Sequence, residues 1–219
     1  MVIKGRPPQQ MSKELLYATN NPGKKFEVSR HLSHNGILVV TPGELGINID
    51  VPETGNSSEE NAVLKVRAYA TLAGNKLILA DDTGLEVDAL DGEPGIHVRK
   101  WKDGQNRMTD QEIIDYCIER MRGIPRDKRG AQFRTVLALG IPGSDIEIFE
   151  GTLEGYILEK PSVQRVGGFP FESLFFVPEW NMLLGDARQL PVEKKQHLLN
   201  HRERAIEKAI PRIRELLES

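Results

Sequence analysis

Two aspartates side by side, Asp81 and Asp82, end a short apolar run and are followed by Thr83 and Gly84. Adjacent carboxylates of this kind can divide a hydrolytic reaction, one holding Mg²⁺ and the other taking a proton from water. Two like charges so close need a cation or a shared proton to coexist. The same Asp-Thr-Gly run is also an ordinary turn sequence. A second group is Thr19-Asn20-Asn21-Pro22-Gly23-Lys24-Lys25, placed where a strand hands over to a helix. Such a junction aims backbone N–H groups at an anion, and a lysine at the helix start adds charge, so it suits a phosphate. It is not a Walker loop: Ala18 stands five before Gly23, and Lys25 occupies the place of the magnesium-binding hydroxyl. Asn-Pro-Gly also simply turns a chain. A third group is Glu53-Thr54-Gly55, then Glu59-Glu60-Asn61 and Lys65. Asn61 and Lys65 are four apart and share a helical face, and Glu53 lies within reach of a metal. Equally, Glu59 and Glu60 suit a helix dipole and Lys65 suits a solvated surface.

These groups need elements to hold them. Leu15 to Ala18 reads as a strand, Lys24 to His34 as a helix and Ile37 to Val40 as a second strand, which is a βαβ rhythm and implies a partly parallel sheet. A helix is expected from Ser58 to Ala73, stopped by Gly74-Asn75, and a buried strand from Leu77 to Ala80. The two aspartates then fall at a strand end, where both can turn toward one cleft. Thr109 to Met121 reads as an amphipathic helix. Two long strands, Gln132 to Gly140 and Ile146 to Leu158, are joined by a Pro142-Gly143 turn, and helices follow Pro191. Residues 1 to 12, polar and proline-bearing, are expected to be a tail, with one domain over 13 to 219.

Composition bounds the partners. The 219 residues carry 32 acids against 29 bases, a formal charge of −3, which argues against a general grip on nucleic acid. Cys117 is the one cysteine, so no intrachain disulfide and no cysteine-based zinc site can form, and a reducing cytoplasm is the expected compartment. No run approaches the roughly 20 apolar residues of a spanning helix, so no membrane association is expected. The histidines show no metal-binding spacing.

Taken in order, ATNNPGK (18–24), VPETGNSSEENAVLKVRA (51–68), LADDTGLEVDALDGEPGI (79–96), GGFPFESLFFVP (167–178) and NHR (200–202) resemble the inosine/xanthosine triphosphate pyrophosphatase family. The likeness runs from about residue 14 to the C-terminus, and the second and third blocks are long and correctly spaced. The resemblance implies a two-lobed α/β fold around a long central mixed sheet with flanking helices, an active-site cleft between lobes, and a homodimer. It implies Mg²⁺-dependent hydrolysis of deaminated purine nucleoside triphosphates (ITP, XTP, dITP) to monophosphate and pyrophosphate. Thr19, Asn21 and Lys24 match the family's triphosphate loop and Lys65 its phosphate-binding lysine; Glu53 and Asp81 match the metal site, and Asp82 the acid that activates water and joins that site. Thr83, Phe169, Glu172, Lys195, His201 and Arg202 complete the substrate set. The departures lie in base recognition. Gly-Phe-Pro-Phe-Glu-Ser (168–173) stands where the family reads Gly-Phe-Gly-Tyr-Asp-Pro, and Asn200 replaces a serine. Val98-Arg99-Lys100 replaces Ser-Ala-Arg, and Gln196 takes the place of a lysine, with Lys195 one position away. The resemblance therefore leaves open a shifted or broad base preference, or nucleotide binding without turnover. Phe169 and Phe171 also suit a core, and His201 and Arg202 a solvated helix start.

Overall fold

The computed structural model describes residues 14–195 and 197–218. The expected N-terminal tail and Gln196 therefore lie outside the described residues.

The chain begins with strand β1 (Glu14–Tyr17), helix α1 (Pro22–Ser33) and strand β2 (Leu38–Val40), the expected βαβ unit with both strands parallel. Asn21 caps α1, and Pro22 occupies the first helical position, where its missing N–H costs no hydrogen bond. Helix α2 (Ser58–Ala70) starts from Ser57, whose side chain accepts the Glu60 amide, and ends three residues earlier than the expected Ala73. Gly74 lies beyond it with φ +64°. Strand β3 (Leu77–Val87) pairs in parallel with β1 and antiparallel with the short β4 (Pro94–Gly95).

The length of β3 is a correction. It does not stop at Ala80 but continues unbroken through Asp81, Asp82 and Thr83 to Val87. Successive side chains in mid-strand alternate between faces, so the two acids do not splay from a strand end toward one side.

Helix α3 (Asp110–Arg120) is entered through a reciprocal cap, Thr109 accepting the Glu112 amide and Glu112 accepting the Thr109 amide. Strands β5 (Gly130–Gly140) and β6 (Glu147–Ile157) are the expected long pair, with Gly143 at φ +86° in the turn. Strands β7 (Phe175–Val177) and β8 (Met182–Leu183) follow, then helices α4 (Leu184–Gln189), α5 (Val192–Lys195) and α6 (His201–Glu218). Among the described residues the sheet has eight strands in the order β2-β1-β3-β5-β6-β7-β8, with β4 on β3. It is mixed, with helices flanking it.

Two compact units can be distinguished. One comprises the chain up to Asp81, Leu137–Phe149 and the segment from Glu207 onward. Its buried apolar residues include Leu15, Leu16, Val28, Leu32, Val66, Leu77 to Ala80 and Ile213. The other comprises Asp82–Val136 and Glu150–Ile206. Its core gathers Leu85, Trp101, Ile113, Cys117, Phe133, Phe171, Phe175 and Trp180. Burial pushes the Cys117 thiol up to about 12, so it packs as an inert apolar group. Among the described residues no helix is long and apolar enough to cross a membrane.

Candidate active site

In the first unit the three sequence groups converge on Asp81. Its side chain is 1% exposed, and its Oδ1 accepts a 2.6 Å hydrogen bond from the Tyr17 hydroxyl, while Oδ2 accepts from Lys24 Nζ at 2.8 Å. Lys65 Nζ donates to the Asp81 main-chain oxygen at 2.9 Å and lies 2.5 Å from Glu53 Oε1. One residue of β3 thus fixes two lysines, one through its carboxylate and one through its carbonyl. Their ammonium groups are largely enclosed, which is tolerable because each sits on an anion. The solvated-surface alternative for Lys65 is therefore set aside.

Local hydrogen bonding explains how this geometry arises. Asn21 Oδ1 accepts from the Gly23 and Lys24 amides, and Thr19 Oγ1 accepts from the Asn21 amide. Those two side chains shape the turn that presents Lys24. Asn61 Oδ1 accepts from the Gly55 amide, which ties the Glu53 segment to α2. Gly55 is packed so tightly that an added Cβ would meet Glu60 and Asn61. Glu60 caps the Asn56 amide, as its place in the first turn suggests. Desolvation raises the Glu53 carboxyl, but the charge and hydrogen bond of Lys65, with the charge of Lys24, outweigh it and hold the group below its ordinary value.

The donors of this unit suit a hard divalent cation. Glu53 and Asp81 offer carboxylate oxygen only, each satisfied here by an ammonium, and Glu53 remains half exposed. Mg²⁺ binds through one or two carboxylates together with phosphate oxygens and water. The charges of Lys24, Lys65, Glu53 and Asp81 cancel, so a bound triphosphate would bring negative charge that such a cation offsets.

In the second unit, Asp82 is 6% exposed on β3, and Thr83 enters a chain of short contacts. Arg202 Nη2 donates to Thr83 Oγ1 at 3.1 Å, the Thr83 and Thr135 hydroxyls are 2.7 Å apart, and Thr135 Oγ1 lies 2.6 Å from His201 Nδ1. The His201 ring stacks on Phe133 with centroids 4.8 Å apart and planes 18° from parallel. His201 and Arg202 are 4% and 1% exposed, so the solvated helix start is overturned for both. Close backbone approach helps bury them: a Cβ on Gly151 would collide with the His201 carbonyl and the Ala205 amide.

Asn200 caps α6, its Oδ1 accepting the Arg202 and Glu203 amides while Glu203 Oε2 accepts the Asn200 amide. The other oxygen of Glu203 accepts from Lys195 Nζ at 2.6 Å, and both side chains are buried. The amide at position 200 is thus a helix cap, and Lys195 is tethered to the same turn. Pro170 opens a 3-10 turn over Pro170–Ser173. Within it Phe171 is core and Glu172 is 3% exposed, both carboxylate oxygens accepting from Arg188. Phe169 is half-buried, with the Arg188 guanidinium 4.1 Å from its ring centroid.

Sequence reading passed over Tyr17, Phe133, Thr135, Arg188 and Glu203. Glu203 alone carried a signal, the Asn-x-x-Glu spacing of a reciprocal cap. The others are ordinary strand or helix residues until the fold gives them partners.

The Ham1 family model matches residues 15–212. The dITP/XTP pyrophosphatase of Bacillus subtilis strain 168 is 35% identical over 196 residues, covering 90% of this chain and 94% of that protein. The solved Ham1 protein of Staphylococcus aureus superposes with a TM-score of 0.73 at 33% identity, covering 92% of this chain and 98% of the other. A HAM1 protein from Coxiella burnetii gives 0.74 at 28% identity, with the same coverage. A match over nearly the whole chain, taking in the β1–α1 turn, β3 and the start of α6 described above, leads to one conclusion: this chain belongs to the Ham1 family.

Proposed function

We propose that the protein hydrolyses deaminated purine nucleoside triphosphates, ITP, XTP and dITP, to the monophosphate and pyrophosphate. The observation that carries this reading is the double lysine anchor on Asp81, with Lys24 on its carboxylate and Lys65 on its carbonyl and on Glu53. Two ammonium groups held in fixed places suit a polyphosphate, and the B. subtilis relative is named a dITP/XTP pyrophosphatase.

In the proposed reaction a water oxygen attacks the α-phosphorus, the bond from that phosphorus to the oxygen bridging to the β-phosphate breaks, and pyrophosphate leaves. Asp82 takes the proton that water loses. Lys24 and Lys65 bind the phosphate oxygens, with Thr19 and Asn21 holding the turn that aims Lys24. The carboxylates of Glu53 and Asp81 would hold Mg²⁺, which when bound neutralises phosphate charge as the bond breaks; Asp82, the next residue along β3, is kept for the proton and not for the metal. Preorganised positive charge of this kind usually supplies the largest part of such a rate enhancement. We assign the base and sugar to Thr83, Phe169, Lys195, His201 and Arg202, and leave out Glu172, whose carboxylate oxygens both accept from Arg188.

A relaxed base preference is part of the proposal. Glu172 is engaged with Arg188, and Asn200 is spent on capping α6, which favours selection by stacking and shape over matched hydrogen bonds to a base edge. We also propose a cytoplasmic homodimer acting on the free nucleotide pool. Incubation with Mg²⁺ and a panel of triphosphates, followed by assay of pyrophosphate and monophosphate, tests the activity; light scattering tests the dimer.

A further inference from the structure

The Gly168–Ser173 segment is held from both ends by arginines. At its start Gly168, at φ +83°, donates its amide to Asp110 Oδ2 at 2.7 Å, and its carbonyl accepts from Arg99 Nη2 at 3.2 Å. Arg99 and Asp110 are themselves paired at 2.5 Å, so the glycine is chelated by an ion pair. At its end Arg188 grips Glu172, with Nε at 3.0 and 2.8 Å from the two oxygens and Nη2 at 2.6 Å from Oε1. The same guanidinium covers the Phe169 ring at 4.1 Å, against 5.2 Å for Arg126 over Tyr156. Arg188 can do both because α4 lies close to this turn. A Cβ on Gly185 would stand 3.0 Å from the Glu172 carbonyl, and Arg188, three residues on, shares that helical face.

We infer that Arg188 is a positioning and specificity-determining residue that braces Phe169 as the stacking platform for the base, with Glu172 as its anchor. A carboxylate that is 3% exposed and forked by an arginine fixes the guanidinium rather than reading a base edge. The guanidinium carbon lies 4.1 Å from the ring centroid, close enough to restrain Phe169 and to draw on the ring's electron density. Phe169 is only half-buried, so its side chain is not enclosed in the core, as a base platform requires. The platform is thus rigid and cation-polarised, and its selectivity follows stacking strength. This rests on the proposed function, since it takes the base to lie at Phe169.

The test is steady-state kinetics of Arg188→Met, Arg188→Lys, Glu172→Gln and the Arg188→Met/Glu172→Gln pair, with inosine triphosphate and with base-less ribose 5-triphosphate. The double variant matters because Arg188→Met alone leaves a buried carboxylate without its cation, whereas the pair is neutral. Expected results are a KM for inosine triphosphate raised roughly tenfold in Arg188→Met and in the double variant, with kcat little changed. KM and kcat for the base-less substrate stay as in the parent. Arg188→Lys recovers only part of the loss, because an ammonium keeps the charge but cannot both fork Glu172 and cover the ring, and the double variant is no worse than Arg188→Met, because Glu172 acts through the arginine. Equal losses on both substrates, or an unchanged KM for inosine triphosphate in the folded double variant, would overturn the brace. Should the parent cleave no triphosphate, the functional proposal fails by itself. Calorimetric binding of the α,β-methylene analogue of inosine triphosphate then decides the brace: weaker binding in the double variant supports it, and equal or absent binding in parent and variant overturns it.

Discussion

Lys24 Nζ sits 2.8 Å from one oxygen of Asp81 while the Tyr17 hydroxyl donates to the other at 2.6 Å, so the carboxylate that aims the lysine is itself held in place from β1. Tyr17→Phe removes one hydrogen bond to a buried carboxylate and adds no volume. Hydrogen bonds to charged groups are worth about 1.5–3 kcal/mol, and the urea midpoint should fall accordingly with an unchanged slope. Turnover should fall as well, because Asp81 is freer to rotate away from Lys24. Wild-type stability and turnover together would show that the hydroxyl does not orient this carboxylate.

Asp82→Asn should fold normally and bind Mg²⁺ with nucleotide nearly as the parent does, yet lose about 10²- to 10⁴-fold in turnover, since an amide accepts no proton from water. Retention of at least half the parent rate at saturating substrate, with chemistry rate-limiting in the parent, would remove Asp82 from the role of base.

Much of the site could be read from the chain, and the unread part has identifiable causes. The Asn21-Pro22-Gly23 turn, Lys24, Glu53, Lys65 and Asp81 form local patterns at strand and helix boundaries, and the fold joins Lys24 to Asp81 and Lys65 to Asp81 and Glu53. The extent of β3 was illegible because Asp and Gly are poor strand residues, and Asp81 becomes acceptable there only once Tyr17 and Lys24 satisfy it. Helix α4 is six residues long, too short to show a period, so Arg188 had nothing to mark it. The burial of His201 and Arg202 depends on Thr83, Thr135 and Phe133, contacts that link distant positions in the chain.

Glu44 provides a pH signature in the first unit. The Lys25 hydrogen bond first, then the Thr41 hydroxyl and amide, hold its carboxyl at about 2 against an ordinary 4.5. A depressed folded-state value means that its stabilising contribution is complete above the unfolded value and is lost as pH falls from about 4.5 through about 2. The group is exposed and screened by salt, so the effect is small. Urea midpoints from pH 6 to 2, as a rough span, should fall less steeply in Glu44→Gln than in the parent. Parallel profiles would show that the pair contributes nothing in solution.

Base selection should be weaker than a matched hydrogen-bonding pocket would give. A pocket that reads a base edge rejects the wrong base by roughly 10⁴-fold, and one that relies on stacking by about 10²-fold. The ratio of kcat/KM for inosine or xanthosine triphosphate over guanosine and adenosine triphosphates is expected to stay below about a thousandfold. A larger ratio would return base recognition to hydrogen bonding, with His201 and Arg202 the first residues to examine.

The most direct test of the central claim is product analysis. Purified protein with Mg²⁺ and inosine or xanthosine triphosphate should release pyrophosphate and nucleoside monophosphate in equal amounts, with ¹⁸O from labelled water appearing in the monophosphate, because the attack is on the α-phosphorus. Release of orthophosphate and nucleoside diphosphate, ¹⁸O in the pyrophosphate, or no turnover of any triphosphate in the panel would contradict it.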